Sequence, residues 1–314
     1  MKFNQRYKLI PRIFINWLVI GLSVNHAAYA SLSVDEEVNQ SIQYSIGQQR
    51  QFFSFESQNL HTEVLAQNVQ YQYSLADKLF GISLSHSSAA ESKSSDTAYQ
   101  LELAGQSVLI FTEFKIENFW LGMAASQGND DSQYQFYYNH VQADVSDSMD
   151  FRNLTIDMDY GRFLSSSYGS VGAGLTHQWL VTKRQLMVVR TLTPIASQNS
   201  NSSEQALFGN VNANYTHYFN IGEQTELILS GAINYQLTLS GDGRIQLNQQ
   251  RRRSTGVQKS QLSKKLEKPN SEATSLSARL TLLHDAYAVS AEIYQLSDQS
   301  AADAYYGLGL GVDF

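Results

Sequence analysis

The feature that most constrains this chain is a two-residue hydrophobic beat sustained over segments of ten residues or more. In "LFGNVNANYTHYF", Leu207, Gly209, Val211, Ala213, Tyr215 and Phe219 fall on one side, and Asn210, Asn212, Asn214 and Thr216 on the other. In "ELILSGAINYQLTLS", Leu227, Leu229, Gly231, Ile233, Tyr235, Leu237 and Leu239 oppose Ser230, Ala232, Asn234, Gln236, Thr238 and Ser240. The final "AYYGLGLGVDF" sets Tyr306, Leu308, Leu310, Val312 and Phe314 against Tyr305, Gly307, Gly309, Gly311 and Asp313. A period of two is the signature of a strand, because successive side chains leave a strand on opposite faces.

Long β-strands need a setting, and the start of the chain names one. Lys2, Arg6, Lys8 and Arg12 form a basic region, followed by the twelve-residue apolar core "IFINWLVIGLSV". "AYA" then places Ala28 and Ala30 at the two small-residue positions of a cleavage site. We read residues 1–30 as a signal peptide cut after Ala30, since its apolar core is too short for a standard helical span. Removing its four cations from the 22 Lys and Arg leaves 18 against 29 acids, net −11, a poor charge for a nucleic-acid partner. Cysteine is absent, so disulfides, thiolate metal sites and cysteine nucleophiles are excluded. No spacing of His, Asp or Glu resembles a zinc or calcium motif, and no cofactor is expected.

After residue 30 no long apolar run remains, which excludes a helical membrane protein. Strands of about ten residues, apolar on one face and lined with Asn and Gln on the other, are the pattern of a transmembrane barrel. Lipid offers the backbone no partners, and a closed barrel pairs every group without leaving an edge. The rival is a soluble periplasmic β-protein, extractable without detergent. Tight turns are expected at "LADK" (75–78), "IENF" (116–119), "SSSYG" (165–169), "NIGEQ" (220–224) and "LHDA" (283–286). Longer polar connections lie between them at 87–97, 127–150, 182–205 and 241–272, with 132–142 open between loop and strand extension. Short periplasmic turns alternating with long outer loops fit the barrel. The expected fold is all-β: an antiparallel up-and-down barrel of about twelve strands over 49–314. The strands are 50–57, 63–75, 79–87, 98–115, 119–127, 149–164, 170–181, 206–219, 225–240, 273–283, 286–297 and 302–314. A bulge near Gly105 would account for a shifted beat in "AGQSVLIFTEF".

Residues 31–48 read differently. Val34, Val38, Ile42 and Ile46 recur every four residues, and Ser33 with Glu36 could form a capping box. A short helix over 34–48 in the lumen, a frayed leader or an overlong first strand each satisfies this pattern.

The terminal row Tyr306, Leu308, Leu310, Val312 and Phe314 resembles the sorting signal that outer-membrane barrels present to their assembly machinery. With twelve strands and a short preceding segment, the mature chain resembles a solitary autotransporter-type barrel. That resemblance implies an integral protein of a Gram-negative outer membrane, a small pore or a plugged barrel. Only about twenty residues separate Ala30 from the first expected strand, so no passenger is expected.

Candidate sites follow from the polar faces. Asp157, Asp159, Arg279, Glu292 and Asp313 are expected in the lumen, as a salt-bridge network or as determinants of ion selectivity. Residues 241–271 carry Arg244, Arg251, Arg252, Arg253, Lys259, Lys264, Lys265 and Lys268 against Asp242 and Glu267. On the outer side this basic stretch would be a solvated loop or meet lipopolysaccharide phosphates. No catalytic set is visible and the chain is expected not to be an enzyme. His177 and His217 are read as interfacial residues, and His284 with Asp285 as a polar turn. Two alternatives stay open: a receptor or adhesin using the long outer loops, and an outer-rim hydrolase built on His86 with Ser85 or Ser87, or on His140 near Asp144.

Overall fold

A strand whose two faces differ this sharply must put its apolar face on lipid or a core, and repeated strands of one kind close into a tube. The computed structural model describes residues 38–55, 58–75, 77–93, 98–138, 141–190, 193–241, 247–253, 256–262, 272–296 and 304–313. Twelve strands form one closed antiparallel barrel. They are β1 (Val38–Phe55), β2 (Gln58–Leu75), β3 (Lys78–Lys93), β4 (Ala98–Ile116), β5 (Phe119–Tyr138), β6 (Val141–Leu164), β7 (Ser167–Arg190), β8 (Thr193–Gly222), β9 (Thr225–Gly241), β12 (Glu272–His284), β13 (Tyr287–Leu296) and β14 (Tyr305–Asp313). A separate hairpin, β10 (Leu247–Arg253) with β11 (Gly256–Leu262), lies between β9 and β12 in the chain. The tube closes where β1 meets β14, from Ser41 opposite Asp313 to Gln48 opposite Tyr306.

All five expected tight turns are present, joining strands separated by two residues. Three of them hold Glu117, Ser165 and Asp285 at positive φ, which the right-handed twist of paired strands demands of a two-residue turn. Alternation then fixes the faces. Along β6, Leu154, Ile156 and Met158 are about half exposed on the outside, while Asp157 and Asp159 are buried inside. Aromatics gather near the turns: Phe119 packs on Tyr160 on the outer face at 5.1 Å between ring centres, and Phe163 on the buried Tyr168 at 5.2 Å. His177 and His217 lie edge-on against Trp179 and Phe219.

Three expectations need correction. Residues 38–48 belong to strand β1, not to a lumen helix; residues 31–37 lie outside the described residues. A spacing of four is also twice two, so Ile42 and Ile46 share one strand face, and pairing to β2 and β14 decides between the two readings. No register shift occurs at Gly105. The beat changes there in the sequence because Leu109 and Phe111 occupy inward positions, packed with Leu79 and Ala124. The shifts fall instead at Val188/Val189, Leu207/Phe208 and Asn220/Gly222. Finally, the polar connections at 87–97, 127–150 and 182–205 are largely strand. β5 and β6 stay paired to Tyr138 and Val141, and β7 and β8 to Arg190 and Thr193. The stretch 241–272 likewise contains the β10–β11 hairpin.

Candidate functional site

Among the described residues, the inner wall gathers polar groups away from bulk water. On the inner wall β2 and β3 contribute Asn68, whose Nδ2 donates to Ser83 Oγ at 2.6 Å and Ser85 Oγ at 2.8 Å. Gln70 and Gln72 are buried beside it. On β6 to β8, Asn212 Nδ2 donates to Asp159 Oδ1 at 3.1 Å, and Asn214 Nδ2 donates to Asn212 Oδ1 at 2.9 Å and Ser170 Oγ at 3.3 Å. On β12 and β13, Arg279 Nη2 donates to Ser290 Oγ at 2.6 Å, and Arg279 Nη1 stands 4.0 Å from Glu292 Oε2.

The structure thus places four of the five expected lumen charges, Asp157, Asp159, Arg279 and Glu292, on the buried inner wall, and Asp313 half-buried at its lower end. They fall on two parts of the wall. Asp157 and Asp159 sit on β6, and Arg279 and Glu292 on β12 and β13, with β7, β8 and β9 between. Asp313 binds through its backbone, its N–H donating to Ala286 O at 2.8 Å. Sequence reasoning missed Glu113, completely buried on β4, and Asp147, which accepts a two-pronged contact from Arg184 at 2.7 and 2.9 Å. Parity was the available signal for both, and the inward turn of Leu109 and Phe111 hid it for Glu113.

Small residues make room for these groups. The Tyr305 ring lies where a Cβ on Gly47 or Gly307 would stand, and the Asp159 carboxylate lies against Gly172. Glycine on the terminal strand therefore lets bulky neighbours lie flat along the wall. Toward the outer end the lining turns apolar. Phe208 and Ala206 on β8 join Tyr294 and Tyr305 in one cluster, Met149, Phe151 and Leu180 form a second, and Tyr99, Leu101 and Phe136 a third.

The other expected site residues distribute as follows. Tyr306, Leu308 and Leu310 are exposed outward on β14, Val312 is half-buried, and Phe314 lies outside the described residues. Arg251, Arg252, Arg253 and Lys259 are on the β10–β11 hairpin; Lys264 and Lys265, like Ala28 and Ala30, lie outside the described residues. His86 stands opposite Gln67 and Gln106, and His140 is outside the described residues. Among the described residues no three His, Cys, Asp or Glu side chains gather as a metal site.

No known sequence family matches the chain. No curated protein matches it either. Solved structures do. The translocator domain of the autotransporter NalP from Neisseria meningitidis superposes with a TM-score of 0.57 at 10% identity, over 96% of this chain and 95% of that one. The β-domain of the Bordetella autotransporter BrkA gives 0.57 at 10% identity, over 88% and 100%. The chain has the fold of an outer-membrane β-barrel similar to autotransporter translocator domains.

Proposed function

We propose that this protein is a narrow outer-membrane barrel held shut at rest, a potential ion path and not an open porin. The supporting observation is the burial of its inner wall at several levels. Leu79, Glu113, Asp159 and Thr281 near the periplasmic end, and Phe151, Leu180 and Phe208 further out, are at most 2% exposed. A channel wide enough for a hydrated solute leaves its lining wet, and twelve strands stand between the filled eight-stranded barrel and the open sixteen-stranded porin. Glu113, Asp157, Asp159 and Glu292 outnumber Arg279 among the buried inward charges of the lower wall, so ions that do pass would be cations.

In this reading residues 1–30 direct export and are removed after Ala30. The terminal row on β14 is handed to the barrel assembly machinery, and lipid covers the outward face. Lys264, Lys265 and Lys268, which follow the hairpin in the chain, meet lipopolysaccharide phosphates, and no enzymatic step is assigned. The test is the mature protein, purified from the outer-membrane fraction with Ser31 as its first residue and placed in a planar bilayer. The expected record is silent or broken by brief openings. Steady conductance, or a chain still bearing residues 1–30, contradicts the proposal.

A receptor or adhesin is the second reading, favoured by the uneven height of the wall. β5 to β8 run 20, 24, 24 and 30 residues, against 13, 10 and 9 for β12 to β14. Their outer ends carry a polar hollow of about 330 Å³ lined by residues that include Gln133, Asp144, Gln185 and Asn199. Shortening both hairpins should abolish surface binding of a partner while the barrel still folds; binding that persists rejects this reading.

A further inference from the structure

The basic stretch between β9 and β12 is expected from the sequence to be an outer loop, either solvated or against lipopolysaccharide phosphates. Its backbone is instead a two-stranded ribbon, with Leu247 opposite Leu262 and Arg253 opposite Gly256. Where the ribbon lies is more informative than its shape. β10 runs beside β8 and β9, the wall it springs from, while β11 runs beside β3 and β4. Around the tube, β9 reaches β3 through β8, β7, β6, β5 and β4 in one direction, and through β12, β13, β14, β1 and β2 in the other. The two strands are therefore diametrically opposed. A ribbon that touches both sides lies across the outer mouth. Strands in a ribbon are about 4.8 Å apart, so two of them with their side chains fill much of the bore that twelve strands leave.

We propose that the β10–β11 hairpin is a lid that closes the outer mouth of the barrel, rooted at β9 and seated on the opposite rim at β3 and β4. Two features of the molecule suit this seat. The rim strand β4 carries Tyr99 and Leu101, which form a buried apolar cluster with Phe136, so the outer inner wall offers an apolar surface to a covering strand. The hairpin strands carry Arg251, Arg252, Arg253 and Lys259 and no acid, whereas the buried inward charges of the lower wall are mostly carboxylates. A cationic strip over an acidic bore is held by attraction that salt weakens. The lid rests on the closed-barrel reading above and gives that closure a specific moving part.

The test compares the intact mature protein with a variant in which residues 247–262 are replaced by a short Gly-Ser turn. Folding of each is checked by its heat-dependent shift in gel mobility. Ser126, buried on the inner wall, is changed to cysteine in both, and the chain's lack of native cysteine makes that thiol unique. A membrane-impermeant thiol reagent is then added to whole cells. The lid predicts labelling at least tenfold faster in the deletion variant and faster labelling of the intact protein at high salt. Equal labelling rates in two folded proteins overturn it. Should the deletion variant fail to fold, a protease site inserted between Leu262 and Glu272 and cut after folding supplies the same comparison. Conductance from the intact protein would refute the closed-barrel reading, while the labelling ratio tests the lid separately.

Discussion

At the scale of single residues, the inner wall shows what a charge requires inside a narrow tube. Arg279 and Glu292 are both buried, and their 4.0 Å separation is the outer limit of an ion pair. The pair therefore stabilises the barrel less by attraction than by sparing each partner an uncompensated burial. Arg279→Met is expected to cost about 3 kcal/mol, and Arg279→Met with Glu292→Met to regain most of it. Urea unfolding in lipid vesicles, followed by the fluorescence of Trp120 and Trp179, measures both; equal midpoints for the single variant and the parent would show that the pairing contributes nothing. The faces of Asp157, Asp159, Arg279 and Glu292 were legible from parity alone. Their partners were not, because partners across a sheet depend on register, and register comes from the neighbouring strand. Glu113 was illegible for a related reason: its strand carries Leu109 and Phe111 inward, so hydrophobicity no longer reports which side is wet.

At the scale of elements, the seam between β1 and β14 depends on paired size as much as on hydrogen bonding. Tyr305 lies flat over Gly47 and Gly307, and Gly47 stands directly opposite Gly307 in the ladder. A β-branched residue at Gly47 meets the ring. Gly47→Val is expected to lose most of the heat-shifted folded form, and adding Tyr305→Ala should restore it. Normal folding of Gly47→Val would refute this packing. The terminal strand itself was plain in the sequence, down to the glycine row that now has a purpose. Its partner was less so, since Val38, Ile42 and Ile46 fit a helix as well as a strand when taken alone. The outer hairpins were missed in extent for another reason. Above the lipid band both faces of β7 and β8 can be polar, so the alternation that marks a membrane strand fades although the ladder continues.

At the scale of the whole molecule, the twelve-strand count and the five tight turns could be read from the chain. Each follows from local rules of alternation and turn chemistry. What local rules cannot reveal is where distant pieces meet: that residues 38–48 complete the tube, that two inner charge groups stay apart, and that the basic stretch crosses the mouth. The account rests above all on the tube being closed by its first strand. With no native cysteine, that closure can be read by one cross-link. Tyr44 and Leu310 stand directly opposite across the seam, and Tyr44→Cys with Leu310→Cys is to be oxidised in isolated outer membranes. The prediction is a disulfide that forms readily, survives in the folded barrel and is absent from the out-of-register pair Tyr44→Cys with Leu308→Cys. Free thiols at both positions in folded protein would mean that β1 does not close the barrel, and would contradict the account.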